Sequence, residues 1–370
     1  MKILLLGEYS NVHATLAEGL RALGHDVVVA SDGDAWKDYP RDVDLRRSQN
    51  NKLGGLKYWW RLHRDFKAFQ GFDVVQIINP IFLPLKAERH WRFYKQLREN
   101  NKAVFLGAFG MDYYYATTAL DCHTFRYSDF NIGETIRHSV QNDIWLADWV
   151  NGEKGRLNRY IAEDCDGIIA GLYEYFLPYR KCYPDKLAFI PFPVKGNASA
   201  LPLTPTEKVR FFIGIQQSRT AYKGTDIMLR ALVRIVQDYP EKCEMLKVES
   251  VPFATYSQLM RDSHVILDQL YSYTPAMNAL EAMSQGLIVV GGGEPENYEI
   301  LHETTLRPII NVEPKESSVY EALKELVLHP EMLPRLSAES IAYVNKHHDY
   351  KRVAARYIEF WSQRMERRPR

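Results

Sequence analysis

Short apolar runs alternate with stretches whose apolar residues recur every three or four positions, and the alternation continues along almost the whole chain. Continuous apolar runs at 2–6, 26–30, 73–78, 103–108, 167–170 and 187–191 predict strands buried on both faces, as in a parallel sheet. Helical periodicity at 12–23 stops at Gly24, and another helix ends at 160–164. The Tyr- and Asp-rich stretch 113–130 predicts irregular structure. Residues 194–207 lack large apolar clusters and are punctuated by Pro, Ser and Thr, which predicts a linker. A second series follows, with strands at 210–215, 245–249, 265–267, 287–290 and 307–311. Its helices are expected at 225–237, 255–262, 276–285, 315–328 and 331–346. The pattern predicts an α/β protein with two Rossmann-like domains, 1–193 and 208–346. A last helix within 347–370 carries Tyr357, Phe360 and Trp361, and is expected to pack back on the first domain.

Two open parallel sheets leave a cleft, and ligands of such sheets bind beyond the carboxyl ends of the strands. The stretch 264–299, HVILDQLYSYTPAMNALEAMSQGLIVVGGGEPENYEI, supplies a strand, a helix and a second strand. Thr274 is the expected N-cap, Pro275 the first helical residue and Ala276 the next. A helix starting there presents unpaired N–H groups and a positive dipole end, a place for phosphate. Glu281, on the second turn, can set a carboxylate where ribose hydroxyls need an acceptor. Upstream, the strand ending near Gly214 runs into a loop containing Arg219 and Lys223. An Arg fork and a Lys ammonium suit a pyrophosphate, whose charge grows as a glycosyl bond breaks.

Composition fits an enzyme of ordinary size: 370 residues, 46% hydrophobic, 25% charged. The cysteines Cys122, Cys165, Cys182 and Cys243 are scattered, which argues against a zinc site or a disulfide framework. The initial MKILLLGEYS reads as a first strand and not as a signal peptide, and no apolar run approaches a bilayer span. The net charge of +1 is unevenly spread: residues 52–102 hold 11 Lys or Arg against 4 Asp or Glu, 11 − 4 = +7. Tyr58, Trp59, Trp60, Trp91 and Phe93 lie among these cations. The stretch reads either as a solvated helix face with its aromatics in the core or as a contact for an anionic membrane surface. No nucleic-acid-binding motif is present, so nucleic acid is not expected as a partner.

Gly214, Arg219, the run Lys223-Gly224-Thr225-Asp226, Glu281 within NALEAMSQG, and Gly291 to Glu294 together resemble the retaining GT-B glycosyltransferases of family four, in particular their polysaccharide-building branch. The resemblance covers roughly residues 185–345. In the first half it extends only to the strand ending at Gly7 and the GHDVVV strand. It implies a nucleotide-sugar donor, UDP- or GDP-linked, as co-substrate, with Arg219 and Lys223 on the diphosphate and Glu281 on the ribose. It implies a glycan or lipid-linked acceptor, transfer with retention, no other cofactor and no required metal. The family pattern of two Glu residues separated by seven is broken here, because Tyr273 stands where the first Glu belongs. Asp268 is the nearest acid, and Tyr273 and Asn278 are placed near the sugar. Asp112, following Met111 after strand VFLGAFG, is the candidate in the first domain, with His13 and His123 as nearby imidazoles.

Other readings stay open at this stage. A nucleotide-sugar 2-epimerase or a phosphorylase could use the same architecture, and a catalytically silent partner of a glycan-assembly complex would tolerate the missing Glu. A nicotinamide dehydrogenase is disfavoured because the first strand leads into GEYSNVHA, not into a Gly-x-Gly-x-x-Gly turn. The expected location is cytoplasmic, at the inner face of the plasma membrane.

Overall fold

A computed structural model describes the chain except residues 48–50, 198, 217–219, 250, 252 and 368–370. The first sheet is built from β1 (Lys2–Leu6), β2 (Asp26–Ser31), β3 (Val43–Asp44), β4 (Val74–Ile77) and β5 (Ala103–Ala108). A small hairpin, β6 (Asn131–Ile132) and β7 (Thr135–Ile136), interrupts before β8 (Gly167–Ala170) and β9 (Leu187–Phe189) rejoin the sheet. Its order is β3-β2-β1-β4-β5-β8-β9, parallel throughout. The second sheet is β11-β10-β12-β13-β14, also parallel, with β10 at Val209–Ile215, β11 at Cys243–Glu249, β12 at Val265–Leu267, β13 at Ile288–Gly291 and β14 at Ile310–Asn311.

The strands β1, β4, β5, β8, β12 and β13 are buried almost residue for residue, which is why they read as continuous apolar runs. The last helix, Tyr350–Glu366, packs on the first half of the molecule. Trp361 is fully buried there and its Nε1 donates to Gln76 Oε1 at 3.3 Å, while Arg364 reaches the Asp166 carbonyl at 2.8 Å. The helix Val12–Ala22 meets this last helix through Gly19, where a Cβ would come within 2.3 Å of the Tyr350 carbonyl oxygen. Among the described residues no helix is long and apolar enough to cross a membrane.

The stretch after β5 differs from expectation. Residues Tyr113–Ala119 form a helix, not an irregular segment. Asp112 is its N-cap, accepting from the Tyr115 N–H at 2.8 Å. Several tyrosines in a row obscure the helical period, and the cap supplies the start signal.

From Arg126 to Trp145 this part of the chain ties the two halves together. Arg126 bonds Glu294 at 2.8 Å and Glu296 at 2.5 Å, and the Tyr127 hydroxyl donates to Glu294. Arg137 donates to the Ala221 carbonyl at 2.8 Å and lies 3.5 Å from the Tyr271 ring centroid. Trp145 meets Tyr222 edge-on, with centroids 4.9 Å apart. The glycine-rich turn after β13 therefore delivers Glu294 to the opposite half.

Candidate active site

The carboxyl ends of β10 and β12 open into a cavity of about 210 Å³. Gly214, Ile215, Leu267 and Asp268 form its floor at the strand ends, and Met277, Asn278 and Glu281 come from the helix Met277–Ser284. Val248, Val251, Tyr256 and Met260 add an apolar wall. The first half closes the cavity with Ser10, Asn11, Trp36, Lys37 and Tyr39. A side chain at Gly214 would bring a Cβ within 2.6 Å of the Tyr256 ring, so the glycine lets that ring lie against the strand end.

The half-buried Glu281 carboxylate faces this cavity and accepts from Gln285 Nε2 at 2.9 Å. Burial raises its pKa above the ordinary value, against the Gln285 hydrogen bond and the Arg261 charge. Asp268 is buried at the end of β12 and accepts from Asn278 Nδ2 at 2.8 Å. Lys223 closes the short helix Thr220–Lys223, and its carbonyl accepts from the Leu270 N–H at 2.9 Å. Gly224 follows in the left-handed region, φ +72°, which lets the chain turn directly into the helix Thr225–Asp238. Arg219 lies outside the described residues.

A second cavity of about 540 Å³ adjoins the first. Ser10, Lys37, Lys223 and Met277 line both, so a cation from each half stands at the junction beside the start of the helix Met277–Ser284. Lys37 Nζ bonds Asp34 at 2.6 Å and Ser10 Oγ at 3.2 Å. Ser10, Asn11, Asp34 and Ala35, in the two loops that carry these groups, all have positive φ. Such clustered left-handed residues are uncommon and concentrate at functional sites. Ala276 is the helix N-cap and makes no side-chain cap, leaving the first-turn amides without that partner.

Thr274 and Pro275 are placed differently from expectation. Thr274 does not cap the helix: its hydroxyl donates to Glu174 Oε2 at 2.5 Å, and Ser272 donates to Glu174 Oε1 at 2.7 Å. Pro275 precedes the N-cap instead of opening the helix. The buried Glu174 carboxylate, in the other half, needs two donors more than the helix end needs one acceptor.

Tyr273 is buried at the domain contact. Its hydroxyl accepts from the Arg126 N–H at 2.7 Å, and its ring packs among Phe125, Tyr127 and Tyr173. Asp112 is fully buried, and its second oxygen accepts from the Tyr179 hydroxyl at 2.9 Å. Burial pushes its pKa up to about 7. The chain brings Met111 to the second cavity, and the Asp112 carboxylate turns inward to cap its helix. Gly7 packs on Ile78 at φ +87°, with His13 Nδ1 2.8 Å from its carbonyl. His13 is fully buried, which pushes its pKa down to about 3, and His123 sits in an exposed turn.

The groups that sequence reasoning passed over are mostly from the first half: Ser10, Lys37, Tyr39, Asp129 and Glu174. One usable signal was present. The turn-forming run SDGDAWKDY directly follows β2, at the edge where ligands of parallel sheets bind. Asp129 accepts from Tyr115 at 3.0 Å within the second cavity, and burial raises its pKa to about 7.

This architecture is the GT-B fold, in which two Rossmann-like domains face each other across a cleft. The chain is similar in structure to a sucrose-phosphate synthase from Thermosynechococcus elongatus, at TM-score 0.63 and 13% identity over 98% of this chain and 99% of that one. Anabaena HepE in complex with UDP and glucose matches at TM-score 0.60 and 13% identity, over 98% of this chain and all (100%) of that one. A UDP-GlcNAc 2-epimerase from Neisseria meningitidis, bound to UDP-GlcNAc, matches at TM-score 0.54 and 14% identity, again over 98% and 100%. No protein-family profile matches the chain, and no curated protein matches it by sequence.

Proposed function

We propose that the protein is a glycosyltransferase that moves a sugar from a nucleoside-diphosphate donor to a glycan or lipid-linked acceptor, with retention of configuration. The observation that carries this reading is the junction of the two cavities. A cavity with an apolar wall and a facing carboxylate suits a nucleoside, Glu281 accepting from the ribose. The diphosphate then lies at the junction, between Lys223, Lys37 and the amides opening the helix Met277–Ser284. The sugar projects into the second cavity. As the anomeric C–O bond breaks, its electron pair goes to the diphosphate oxygen, and the cations and helix dipole stabilise that charge. The acceptor hydroxyl forms the new C–O bond on the same face and passes its proton to the leaving phosphate oxygen. Arg219, four positions before Lys223 in the sequence, is proposed to join this clamp. Calorimetry with UDP and GDP tests the reading: one of them should bind, and Glu281→Ala should weaken it. Failure of both nucleotides to bind overturns it.

A second reading has one observation in its favour. Asp129 and Glu174, buried acids with raised pKa, line the sugar cavity and could move protons during epimerisation. Conversion of UDP-GlcNAc without any acceptor would establish that reading in place of transfer.

The enzyme is further proposed to work on the cytoplasmic side of a membrane. Leu53, Leu56 and Trp60, spaced along one face of the helix Lys52–Asp65, are 71%, 55% and 71% exposed, with Lys57 and Arg64 exposed beside them. Tyr58 and Phe93 are core residues and Trp59 and Trp91 are partly buried against the core, so the exposed aromatic part of the contact reduces to Trp60. Each surface cation contributes about 1 kcal/mol at an anionic bilayer, so binding requires the cluster and falls with salt. Equal, negligible sedimentation with anionic and neutral liposomes overturns this element.

A further inference from the structure

The second cavity, proposed above to hold the sugar, is lined mainly by aromatic and polar groups. Trp145, Trp149, Tyr175 and Tyr222 are among its walls, rings on which the C–H faces of a pyranose can lie. Its acids are Asp34, Asp129 and Glu174. Its cations are Lys37 and Lys223, both at the junction, and Lys37 is already bonded to Asp34. Beyond the junction, therefore, the described wall offers carboxylates, hydroxyls and rings. Asp129 is buried and held by the Tyr115 and Tyr222 hydroxyls with the Arg137 guanidinium nearby, and Glu174 is buried and held by Ser272, Thr274 and two backbone N–H groups.

We infer that this chamber takes a neutral, hydroxyl-rich sugar and discriminates against sugars that carry a carboxylate. The inference rests on the proposed nucleotide-sugar site and specifies its substrate class. Hydroxyls of a neutral sugar can donate to the remaining lone pairs of Asp129 and to backbone carbonyls. A uronic acid of the same shape replaces one donor with an anion, in a chamber whose described lining carries Lys37 and Lys223 only at the junction. Burial raises the Asp129 pKa to about 7, so Asp129 is ionised above that pH, and a uronate seated beside it loses affinity up to the cost of protonating Asp129, about 30-fold at about pH 8.5. Asp129 is the residue that sets this preference, since Glu174 also holds the two halves together.

The test is calorimetric and needs no acceptor. The full chain is titrated at about pH 8.5, where Asp129 is ionised, with UDP, with UDP-glucose and UDP-galactose, and with UDP-glucuronate and UDP-galacturonate, which differ from the first two only at C6. If UDP binds weakly, the same series is run on GDP, GDP-mannose and GDP-mannuronate. At least one neutral donor should bind more tightly than its free nucleotide, and its uronate counterpart at least about 10-fold more weakly than that neutral donor. Asp129→Asn, which keeps the shape and an acceptor oxygen, should narrow the gap while leaving nucleotide affinity unchanged. A uronate that binds as well as its neutral counterpart overturns the inference, as does a neutral sugar that adds nothing to nucleotide affinity. An unchanged gap in folded Asp129→Asn removes Asp129 from the role. If neither UDP nor GDP binds, the functional reading fails, and this inference fails with it.

Discussion

Removing the Glu281 carboxylate separates binding from folding. The group is half-buried, and among the described residues its one side-chain bond is to Gln285 at 2.9 Å, on the turn that follows its own helix. Glu281→Ala gives up that bond, worth about 1 kcal/mol, and also removes a carboxylate whose burial opposes ionisation. The two effects oppose each other, so stability should change by less than about 1 kcal/mol. Binding should change more. Ribose hydroxyls donating to a charged acceptor are worth about 1.5–3 kcal/mol. Losing that contact weakens nucleotide affinity roughly 10- to 150-fold. Calorimetry with the preferred nucleoside diphosphate gives the affinity, and urea unfolding gives the stability. A dissociation constant within about 2-fold of the parent would refute the ribose assignment. So would a loss of affinity that equals the change in stability, because the carboxylate would then be structural.

Three further outcomes are expected. Lys223→Ala should lower kcat by about 100- to 1,000-fold with a smaller effect on donor affinity, since charge on the diphosphate grows as the sugar leaves; steady-state kinetics decide, and an unchanged kcat would remove Lys223 from the clamp. Thr274→Val should leave nucleotide affinity unchanged but cost about 1–3 kcal/mol in urea unfolding, because Glu174 loses a buried donor. Asp112 has a folded-state pKa raised to about 7, so its contribution to stability is fully present below the ordinary aspartate value near 3.8 and is lost as pH rises through about 7. Asp112→Asn should therefore gain stability relative to the parent between about pH 4 and 7 and hold a constant difference above that range, as read from unfolding curves at each pH.

The strands were legible because parallel sheets bury both faces, so β1, β5, β8 and β13 carry unbroken apolar runs that need no long-range information. The residues Gly214, Lys223, Asp268, Asn278 and Glu281 were legible as strand-end, loop and early-helix positions, and they do line one cavity. What sequence reasoning misread depends on groups distant in the chain. Thr274 has the composition of a local cap, yet Glu174, from the opposite half, takes its hydroxyl. Tyr273 is drawn into the aromatic contact with Phe125, Tyr127 and Tyr173. Asp112 was expected at the cleft edge, but a helix start hidden in a run of tyrosines claims its carboxylate. The turn-forming run around Lys37 marked its loop but not the side chain's destination, which depends on the left-handed turns at Ser10, Asn11 and Asp34, and polar loop residues adopt those in many settings.

The position of the last helix bears on how the chain is made. During synthesis the first sheet emerges early, yet the face that receives Trp361 and Tyr357 stays uncovered until the final turns of Tyr350–Glu366 leave the ribosome. By then the second sheet has already been made. The half synthesised first is thus the half completed last, with Gln76 waiting for a partner 285 positions further along the chain. Until then its apolar surface is open to chaperones and to other nascent chains, and the interval is set by translation speed.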